Sequence, residues 1–352
     1  MRVSKRFEGK EAYNPGGKPC PVVLNANESF VLPSKELMEE FHDILDQCAF
    51  NRYPDARATE LCKAFADLFD LDWRHVTAGN GSDELIELLF ACLVNPGDRV
   101  LTVTPDFSMY AHGAYMNDVE VIEYEQEDYR IDVDSLMAID DEEDLAMMIF
   151  SNPCNPTGCV MPREDILRLL NEFDGLLVVD EAYMDFGDES VLDLAGEWDN
   201  LIVLKTCSKA LGMAGLRVGF AITNPKLTNL LQVGKPVYNI GVLTQSLATC
   251  VLRHKDEIHA AIDTINASTA ELVAGLEVLV EKYDVLERML PTSANFAYII
   301  TDAAVEIFEK LQDHGVLVRQ PQKNALRINC GTKEENAACL KAMEAVLEDM
   351  KQ

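Results

Sequence analysis

Residues 208–217, which read SKALGMAGLR, place a lysine where covalent chemistry is feasible. Lys209 follows the apolar run 201–205, which is typical of a buried strand. A lysine that leaves such a strand for a loop of small residues is partly desolvated, and its amine becomes available for Schiff-base chemistry. Arg217, farther along the same loop, could bind a phosphate through its fork of N–H donors. Taken alone, a loop lysine is more often a solvated surface residue, so the surrounding motifs must indicate whether Lys209 is catalytic.

Two further apolar runs lead into polar side chains. Residues 176–180 end in Asp180, and Tyr183 follows shortly after, so a carboxylate and a phenol would lie at the edge where open α/β sheets bind ligands. An aspartate there can stay ionised beside a pyridinium nitrogen, although it could equally cap a helix. Residues 146–150 lead into paired Asn-Pro steps that include Asn155, and such steps force turns with outward-facing amides.

Residues 79–84, GNGSDE, precede apolar residues at helical spacing. A glycine turn that opens a helix can bind phosphate through free backbone N–H groups, although an ordinary helix start has the same appearance. Each of these four segments ends a strand or opens a helix, and all would meet at one edge of a sheet. Their joint occurrence is far more specific than any one of them.

The apolar runs also indicate an α/β fold. Because they are continuous rather than alternating with polar residues, they suit strands of a parallel sheet covered on both faces, at residues 100–104, 146–150, 176–180, 201–205 and 219–223. The later part of the chain predicts helices over 256–282, 303–314 and 333–350, with strands over 295–300 and 325–329. We therefore predict an N-terminal arm (residues 1–34) that contributes to the small domain and substrate site, a large α/β domain (35–240) and a small α+β domain (241–352).

Charge and cysteine usage exclude other classes. The 352 residues carry 30 basic and 60 acidic side chains, a net charge of -30, whereas nucleic acids and anionic membranes require clustered cations. We therefore expect small-molecule substrates and neither a nucleic-acid nor a membrane partner. With no signal peptide and no apolar run of about 20 residues, we expect a cytoplasmic protein. Ten scattered cysteines without a CxxC pair, and six histidines without metal spacing, predict reduced thiols and no metal site.

Together these segments resemble the fold-type I pyridoxal-phosphate aminotransferases, and more narrowly the histidinol-phosphate aminotransferase family. The resemblance spans nearly the whole chain in the expected order. It rests on LNANE (24–28), RYP (52–54), GNGSDE (79–84), NPTG (155–158), DEAY (180–183), SKALGMAGLR (208–217), LR (326–327) and GT (331–332). The fold it implies has a mostly parallel-sheet large domain and a smaller α+β domain.

The resemblance also implies roles around the cofactor pyridoxal 5'-phosphate. Lys209 would hold the cofactor as a Schiff base and shuttle a proton between the substrate's α-carbon and the cofactor's C4′. Asp180 would pair with the pyridine nitrogen, while Asn155 and Tyr183 would hydrogen-bond the phenolic oxygen. Phe107 would stack on the ring.

The remaining implied roles concern the phosphate and the substrate. Residues near one another in the fold would surround the cofactor phosphate: Gly81, Ser82, Asp83, Thr206, Ser208 and Arg217. Tyr53 would reach the same phosphate from a partner subunit, so each site would need a homodimer. Arg327 would clamp the substrate's α-carboxylate with its bidentate guanidinium, and Asn27 and Tyr13 would lie in the substrate pocket.

The reaction expected from this resemblance is transamination of L-histidinol phosphate with 2-oxoglutarate, giving imidazole-acetol phosphate and glutamate in histidine biosynthesis. A threonine-phosphate decarboxylase would use the same lysine but lose the substrate carboxylate. An aromatic-amino-acid aminotransferase is also open, because an imidazole pocket can accept a phenyl ring. A ligand-sensing regulator would be expected to add a basic DNA-binding segment ahead of the fold, whereas this chain begins almost directly with the family's arm.

Overall fold

The computed structural model describes residues 16–351. Its strands are β1 (Val22–Val23), β2 (Val76–Gly79), β3 (Arg99–Thr104), β4 (Glu120–Glu125), β5 (Met147–Ser151), β6 (Leu176–Asp180), β7 (Leu201–Thr206), β8 (Gly219–Ile222), β9 (Arg288–Met289), β10 (Phe296–Ile300), β11 (Val316–Leu317), β12 (Arg319–Gln322) and β13 (Ala325–Asn329). Its α-helices are α1 (Lys35–Gln47), α2 (Thr59–Phe69), α3 (Ser82–Leu93), α4 (Met109–Met116), α5 (Val133–Glu143), α6 (Arg163–Glu172), α7 (Pro225–Gly234), α8 (Val242–Arg253), α9 (Lys255–Lys282), α10 (Ala304–Asp313) and α11 (Lys333–Met350).

A seven-stranded sheet with the order β2-β8-β7-β6-β5-β3-β4 forms the centre of the molecule. Strands β4, β3, β5, β6 and β7 pair in parallel, and of these β3, β5, β6 and β7 lie at or within one residue of the predicted positions. β8 is the exception to the predicted parallel sheet, because it runs antiparallel to both β7 and β2. Burial on both faces makes a strand continuously apolar whichever way it runs, so its sequence does not reveal its direction.

Two strands of this sheet escaped prediction for different reasons. β2 is only four residues long and ends in Gly79. β4 is an edge strand with three glutamates, and none of its residues is fully buried. Charged side chains are a common feature of exposed sheet edges, and they remove the apolar signal.

Both faces of the large sheet are covered by helices. Along β7, Leu201 and Val203 enter one hydrophobic cluster, whereas Ile202 and Leu204 enter the cluster on the opposite face. All four side chains are fully buried. This alternation explains why the run is apolar at every position.

A second, four-stranded antiparallel sheet has the order β12-β13-β10-β9 and packs with α9, α10 and α11. The N-terminal segment joins this part of the molecule, since β1 pairs in parallel with β11. The 28-residue helix α9 contacts both regions: Ile258 belongs to the large-sheet cluster and Ile265 to the small-sheet cluster. The predicted domain boundaries at residues 34 and 240 stay predictions, and α8 packs in the large-sheet cluster.

Across residues 16–351, every helix is too short or too polar to cross a membrane.

Candidate active site

Polar residues gather where the parallel strands β5, β6 and β7 end. Ser151, the last residue of β5, lies opposite Asp180, the last residue of β6, and Asp180 lies opposite Leu204 of β7. The loop after β7 then carries Lys209. Parallel strands deliver their carboxyl ends to one edge, so segments far apart in sequence supply one site.

Asp180 is a buried carboxylate with neutral hydrogen-bond donors on both oxygens. Its Oδ2 accepts a hydrogen bond from the Tyr110 hydroxyl at 2.9 Å, and its Oδ1 accepts one from the Ala182 backbone N–H at 3.0 Å. Burial raises the pKa of Asp180 to about 6, against the lowering effect of these hydrogen bonds. Among residues 16–351, no cationic side chain forms an ion pair with this carboxylate, and a protonated ring nitrogen would supply a cation.

A second buried carboxyl group lies beside it. Asp106 accepts hydrogen bonds from the Ser151 hydroxyl and from the backbone N–H groups of Ser151 and Phe107. Burial raises the pKa of Asp106 to about 7, and the negative charge of Asp180 adds to the rise. Phe107 itself is half-buried and packs edge-on against Tyr110, with 5.7 Å between the ring centroids.

The opening turn of α3 forms a concave anion site with the end of β7. Gly81 adopts a left-handed φ of 83°, and a Cβ there would approach Nη2 of Arg217 to 2.6 Å, so the turn requires glycine. Arg217 donates hydrogen bonds to the Ser208 hydroxyl and to the Asp83 carboxylate, each at 3.2 Å. The Thr206 hydroxyl lies 3.1 Å from that of Ser208.

This anion site, the Arg217 cradle, includes the first turn of α3, which begins at Ser82. The first backbone N–H groups of a helix have no intrahelical acceptor, and the helix dipole favours an anion there. Together with the Arg217 guanidinium and two hydroxyl groups, these N–H groups suit a phosphate.

Lys209 directly follows Ser208, which belongs to the anion site. Its side chain is half-buried, and its Nζ donates a hydrogen bond to the backbone carbonyl of Ala26 at 2.7 Å. The same nitrogen stands 5.9 Å from the centroid of the Tyr183 ring. The Tyr183 hydroxyl accepts a hydrogen bond from the Asn27 side-chain amide at 2.9 Å. The N-terminal segment therefore closes over the lysine.

Arg327 borders the same space from β13 of the small sheet. Its Nη1 donates a hydrogen bond to Oδ1 of Asn155 at 2.5 Å, and its Nη2 donates one to the Asn25 carbonyl at 2.7 Å. The guanidinium carbon lies 5.3 Å from the centroid of the Phe296 ring. Its side chain is therefore held in place by three different segments of the chain.

The comparisons with known proteins agree with this geometry. The model of the family described as aminotransferase class I and II matches residues 21–343. The histidinol-phosphate aminotransferase of Clostridium novyi (strain NT) is 37% identical over 345 residues, which cover 97% of this chain and 96% of that protein. This chain belongs to the histidinol-phosphate aminotransferase family. The member from Clostridium kluyveri is 35% identical over 331 residues, covering 93% of each chain.

A solved structure of the same family has the same fold. The histidinol-phosphate aminotransferase from Sinorhizobium meliloti, in complex with pyridoxal-5'-phosphate, superposes with a TM-score of 0.89 at 21% identity, covering 99% of this chain and 98% of that one. Aspartate aminotransferase from Thermus thermophilus with maleate superposes with a TM-score of 0.84. The predicted fold class is therefore confirmed.

The predicted site residues of this family member are largely brought together by the structure. Besides Lys209, the structure shows the buried carboxylate Asp180, two hydrogen-bonded pairs (Asn27 with Tyr183, and Arg327 with Asn155), and the phosphate cradle of Gly81, Ser82, Asp83, Thr206, Ser208 and Arg217. Their roles toward a ligand stay predictions.

The remaining predicted site residues are Tyr53 and Tyr13. The Tyr53 side chain is 81% exposed, and its ring stacks on Tyr238 with 4.4 Å between centroids. Its predicted contact is with the site of a partner subunit and stays a prediction. Tyr13 lies outside the described residues.

Sequence reasoning missed several neighbours in the site. Tyr110, the hydrogen-bond donor to Asp180, carried no separate signal because it lies within a short helix of mixed composition. Arg319 in β12 lies directly opposite Arg327 in β13, so the two arginine side chains leave the same face of the small sheet. A two-residue turn between residues 322 and 325 could have indicated this hairpin.

Beneath the site, Lys205 is a buried cation that sequence reasoning treated only as the end of a strand. Its Nζ lies 2.6 Å from Oδ1 of Asp185 and 3.8 Å from Oε2 of Glu181. Burial lowers the pKa of the Lys205 amine, but the two carboxylates outweigh this effect and raise it above its ordinary value. Lys205, Asp185 and Glu181 thereby connect strand β7, which leads to Lys209, with the segment that follows Asp180.

Proposed function

We propose that this chain catalyses the pyridoxal-phosphate-dependent transamination of L-histidinol phosphate with 2-oxoglutarate. The observation that carries the proposal is the convergence of Lys209, Asp180 and the Arg217 cradle in a chain that is 37% identical to a histidinol-phosphate aminotransferase over 97% of its length. Threonine-phosphate decarboxylation and aromatic-amino-acid transamination would use the same lysine, but the relatives favour transamination of L-histidinol phosphate.

The polar groups of the site fit pyridoxal phosphate at both of its ends. The Arg217 cradle and the first turn of α3 would hold the phosphate, and the buried Asp180 carboxylate would pair with the ring nitrogen. Phe107 borders the space where a ring would stack. When bound, the cofactor supplies an aldehyde that links to an amine and a ring that withdraws electrons from the substrate's α-carbon.

Lys209 and Asp180 would divide the proton chemistry between them. The Nζ of Lys209 would take the proton from the substrate's α-carbon and deliver it at the cofactor's C4′. Ionised Asp180 would keep a proton on the ring nitrogen. The hydrogen bonds from Tyr110 and Ala182 favour this ionised form, because they stabilise its negative charge.

Arg327 is positioned to serve both half-reactions. Glutamate and 2-oxoglutarate carry a carboxylate next to the reacting carbon, whereas L-histidinol phosphate carries a phosphate ester on that side. A guanidinium fork binds either anion. Arg319, opposite Arg327 in the neighbouring strand, adds a second cation for the phosphate. The Asn27 side-chain oxygen is buried without a hydrogen-bond partner among residues 16–351, so it could accept a hydrogen bond from the substrate.

Product analysis tests the substrate assignment. Purified enzyme with L-histidinol phosphate and 2-oxoglutarate should form glutamate and imidazole-acetol phosphate. L-threonine phosphate should release little carbon dioxide, and L-phenylalanine should react more slowly at equal concentration. Carbon dioxide release as the main reaction, or faster turnover of phenylalanine, would overturn the substrate assignment and leave the fold intact.

We also propose that the enzyme is a homodimer in which Tyr53 enters the partner's site. An exposed apolar patch supports this: the stacked Tyr53 and Tyr238 side chains lie in segments that also expose Phe50 (66%) and Val237 (62%). Contiguous exposed apolar groups mark interaction surfaces. Light scattering should give twice the chain mass. Mixing Tyr53→Ala with Lys209→Ala chains should restore one active site per mixed dimer only if Tyr53 and Lys209 of one site come from different chains.

We propose that the enzyme works in the cytoplasm. All ten cysteines are free thiols, as expected in a reducing compartment. Cell fractionation with an antibody to the chain tests this assignment.

A further inference from the structure

A cluster of three metal-binding side chain types lies outside the active site, where α1 meets the end of α8. Cys250 lies in the last turn of α8, and His254, four positions farther along, is the residue that caps this helix, so the two side chains lie on the same side. Glu40 of α1 faces both of them. Its Oε2 accepts a hydrogen bond from the Cys250 thiol at 3.2 Å, and its Oε1 lies 3.1 Å from Nε2 of His254. One ligand atom from each side chain lies within 4.8 Å of the others.

These separations match the spacing of ligands around one zinc ion. With bonds of about 2.3 Å to sulfur and about 2.0 Å to nitrogen and oxygen, a tetrahedral site places sulfur about 3.5 Å from oxygen and nitrogen about 3.3 Å from oxygen. The observed sulfur–oxygen and nitrogen–oxygen distances are within about 0.3 Å of those values, although they run to different oxygens of Glu40. Binding would therefore require the carboxylate to rotate and the three ligand atoms, now within 4.8 Å of one another, to close around the ion.

The surroundings of His254 match those of a metal ligand. Its other ring nitrogen, Nδ1, lies 3.7 Å from Oε1 of Glu257. That carboxylate is itself fixed by a hydrogen bond from the Ser34 hydroxyl at 2.8 Å. This separation is longer than a hydrogen bond, but a small rotation of the ring would let Nδ1–H donate to Glu257, which is the arrangement that orients a metal-ligating histidine.

We propose that Cys250, His254 and Glu40 bind a zinc ion, with water in the fourth position on the exposed side of Glu40. Zinc would replace the thiol proton, which passes to solvent. The ion, one thiolate and one carboxylate then sum to zero charge, which suits a half-buried site. No CxxC or HExxH pattern reveals this group, because Glu40 is 210 residues from Cys250 in sequence.

Without a metal, the same side chains form a hydrogen-bonded cluster with the thiol protonated. Burial and the neighbouring Glu40 carboxylate raise the pKa of Cys250 to about 12. Zinc binds the thiolate form, so metal binding releases the thiol proton to solvent. The groups facing this thiol are Glu40 on α1 with Arg253, His254 and Glu257 on α8 and α9.

The site would fasten the N-terminal segment to the body of the protein. Ser34 caps α1, which carries Glu40, and the residues just before it pack on the loop that follows Lys209. A Cβ added to Gly212 in that loop would lie 3.7 Å from the Ser29 side chain. Asn27, farther along this segment, donates a hydrogen bond to Tyr183 in the active site. Zinc would therefore tie the segment that closes over the lysine to α8 and α9.

Cobalt titration of the pyridoxal-phosphate-loaded enzyme tests the proposal, because cobalt in a four-coordinate thiolate site absorbs at wavelengths longer than those of the cofactor. Wild type should bind one cobalt ion per chain with this absorbance, and one equivalent of zinc should remove it. Cys250→Ser and His254→Gln should lose it. Glu257→Gln should weaken zinc binding by about 10- to 100-fold.

Cys48→Ser is the matched control, since Cys48 is half-buried at the end of the same helix α1 and lies outside the cluster. It should keep the full cobalt absorbance. An unchanged cofactor spectrum in each variant shows that it has folded. The proposal is overturned if Cys250→Ser binds cobalt with the wild-type spectrum, if Cys48→Ser removes that spectrum, or if folded wild type shows no such absorbance.

Discussion

Replacing Asp180 with asparagine should stabilise the cofactor-free protein while removing its activity. The structure buries this carboxylate with only neutral donors in contact, so ionisation is costly in the absence of the cofactor. Asparagine has the same shape and no charge. The Tyr110 hydroxyl can turn from donor to acceptor and so satisfy the new amide group.

The expected gain follows from the pKa of Asp180. Folding raises it from 3.8 to about 6, so the folded state binds the proton more tightly than the unfolded chain. The contribution of Asp180 to stability is therefore most favourable below pH 3.8, becomes less favourable as the pH rises through this window, and reaches its full cost above the folded pKa. At pH 8 the cost is about 3 kcal/mol, and at pH 5 about half of that. Asp180→Asn should recover these amounts.

Urea unfolding of the cofactor-free proteins at pH 5 and pH 8 measures this effect. Asp199→Asn is the control, because it removes the same charge from an exposed position. It should leave stability within about 0.5 kcal/mol of wild type. With pyridoxal phosphate and substrates, Asp180→Asn should lose at least about 100-fold in turnover, since one partner of a buried charge pair is gone. If Asp180→Asn is less stable than wild type at pH 8, or equally stabilised at both pH values, the charge of Asp180 does not destabilise the cofactor-free fold.

Three further changes test other parts of the site. Tyr110→Phe removes a hydrogen bond that lowers the pKa of Asp180. Cofactor affinity, measured by fluorescence titration, should therefore fall severalfold at pH 7 and less at pH 8. An equal loss of affinity at the two pH values would contradict this role of Tyr110. Arg327→Lys loses the bidentate fork, so kcat/KM should drop about 10- to 100-fold for both the amino donor and the keto acceptor, and a loss for only one would limit its role. Lys205→Met leaves the Asp185 carboxylate buried without its cation, so the free energy of unfolding should fall by about 3–5 kcal/mol. Adding Asp185→Leu should recover part of this loss. If no stability is recovered, the unpaired Asp185 carboxylate is not the cause of the loss.

The sequence predicted strands well where burial on both faces left a continuous apolar run. Residues 176–180 and 325–329 are strands with the predicted bounds, and 333–350 is a helix with the predicted bounds. The direction of β8 was predicted wrongly, because parallel and antiparallel neighbours demand the same apolar side chains when both faces are covered.

The site was predictable to the extent that each residue belonged to a local motif. Lys209 and Arg217 lie in one continuous segment, and their motif identified both. Tyr110 was missed because its hydrogen bond to Asp180 joins residues 70 positions apart, which no local spacing can show. The Glu40 cluster, which lies outside the active site, was missed for the same reason, since only the folded chain brings α1 against the end of α8.

The most direct test of the account is an absorbance cycle with the purified enzyme and pyridoxal phosphate. Wild type should show a visible cofactor band that L-histidinol phosphate abolishes and 2-oxoglutarate restores, while Lys209→Ala should show neither the band nor the cycle. A band of equal intensity and the same cycle in Lys209→Ala would show that another group carries the chemistry.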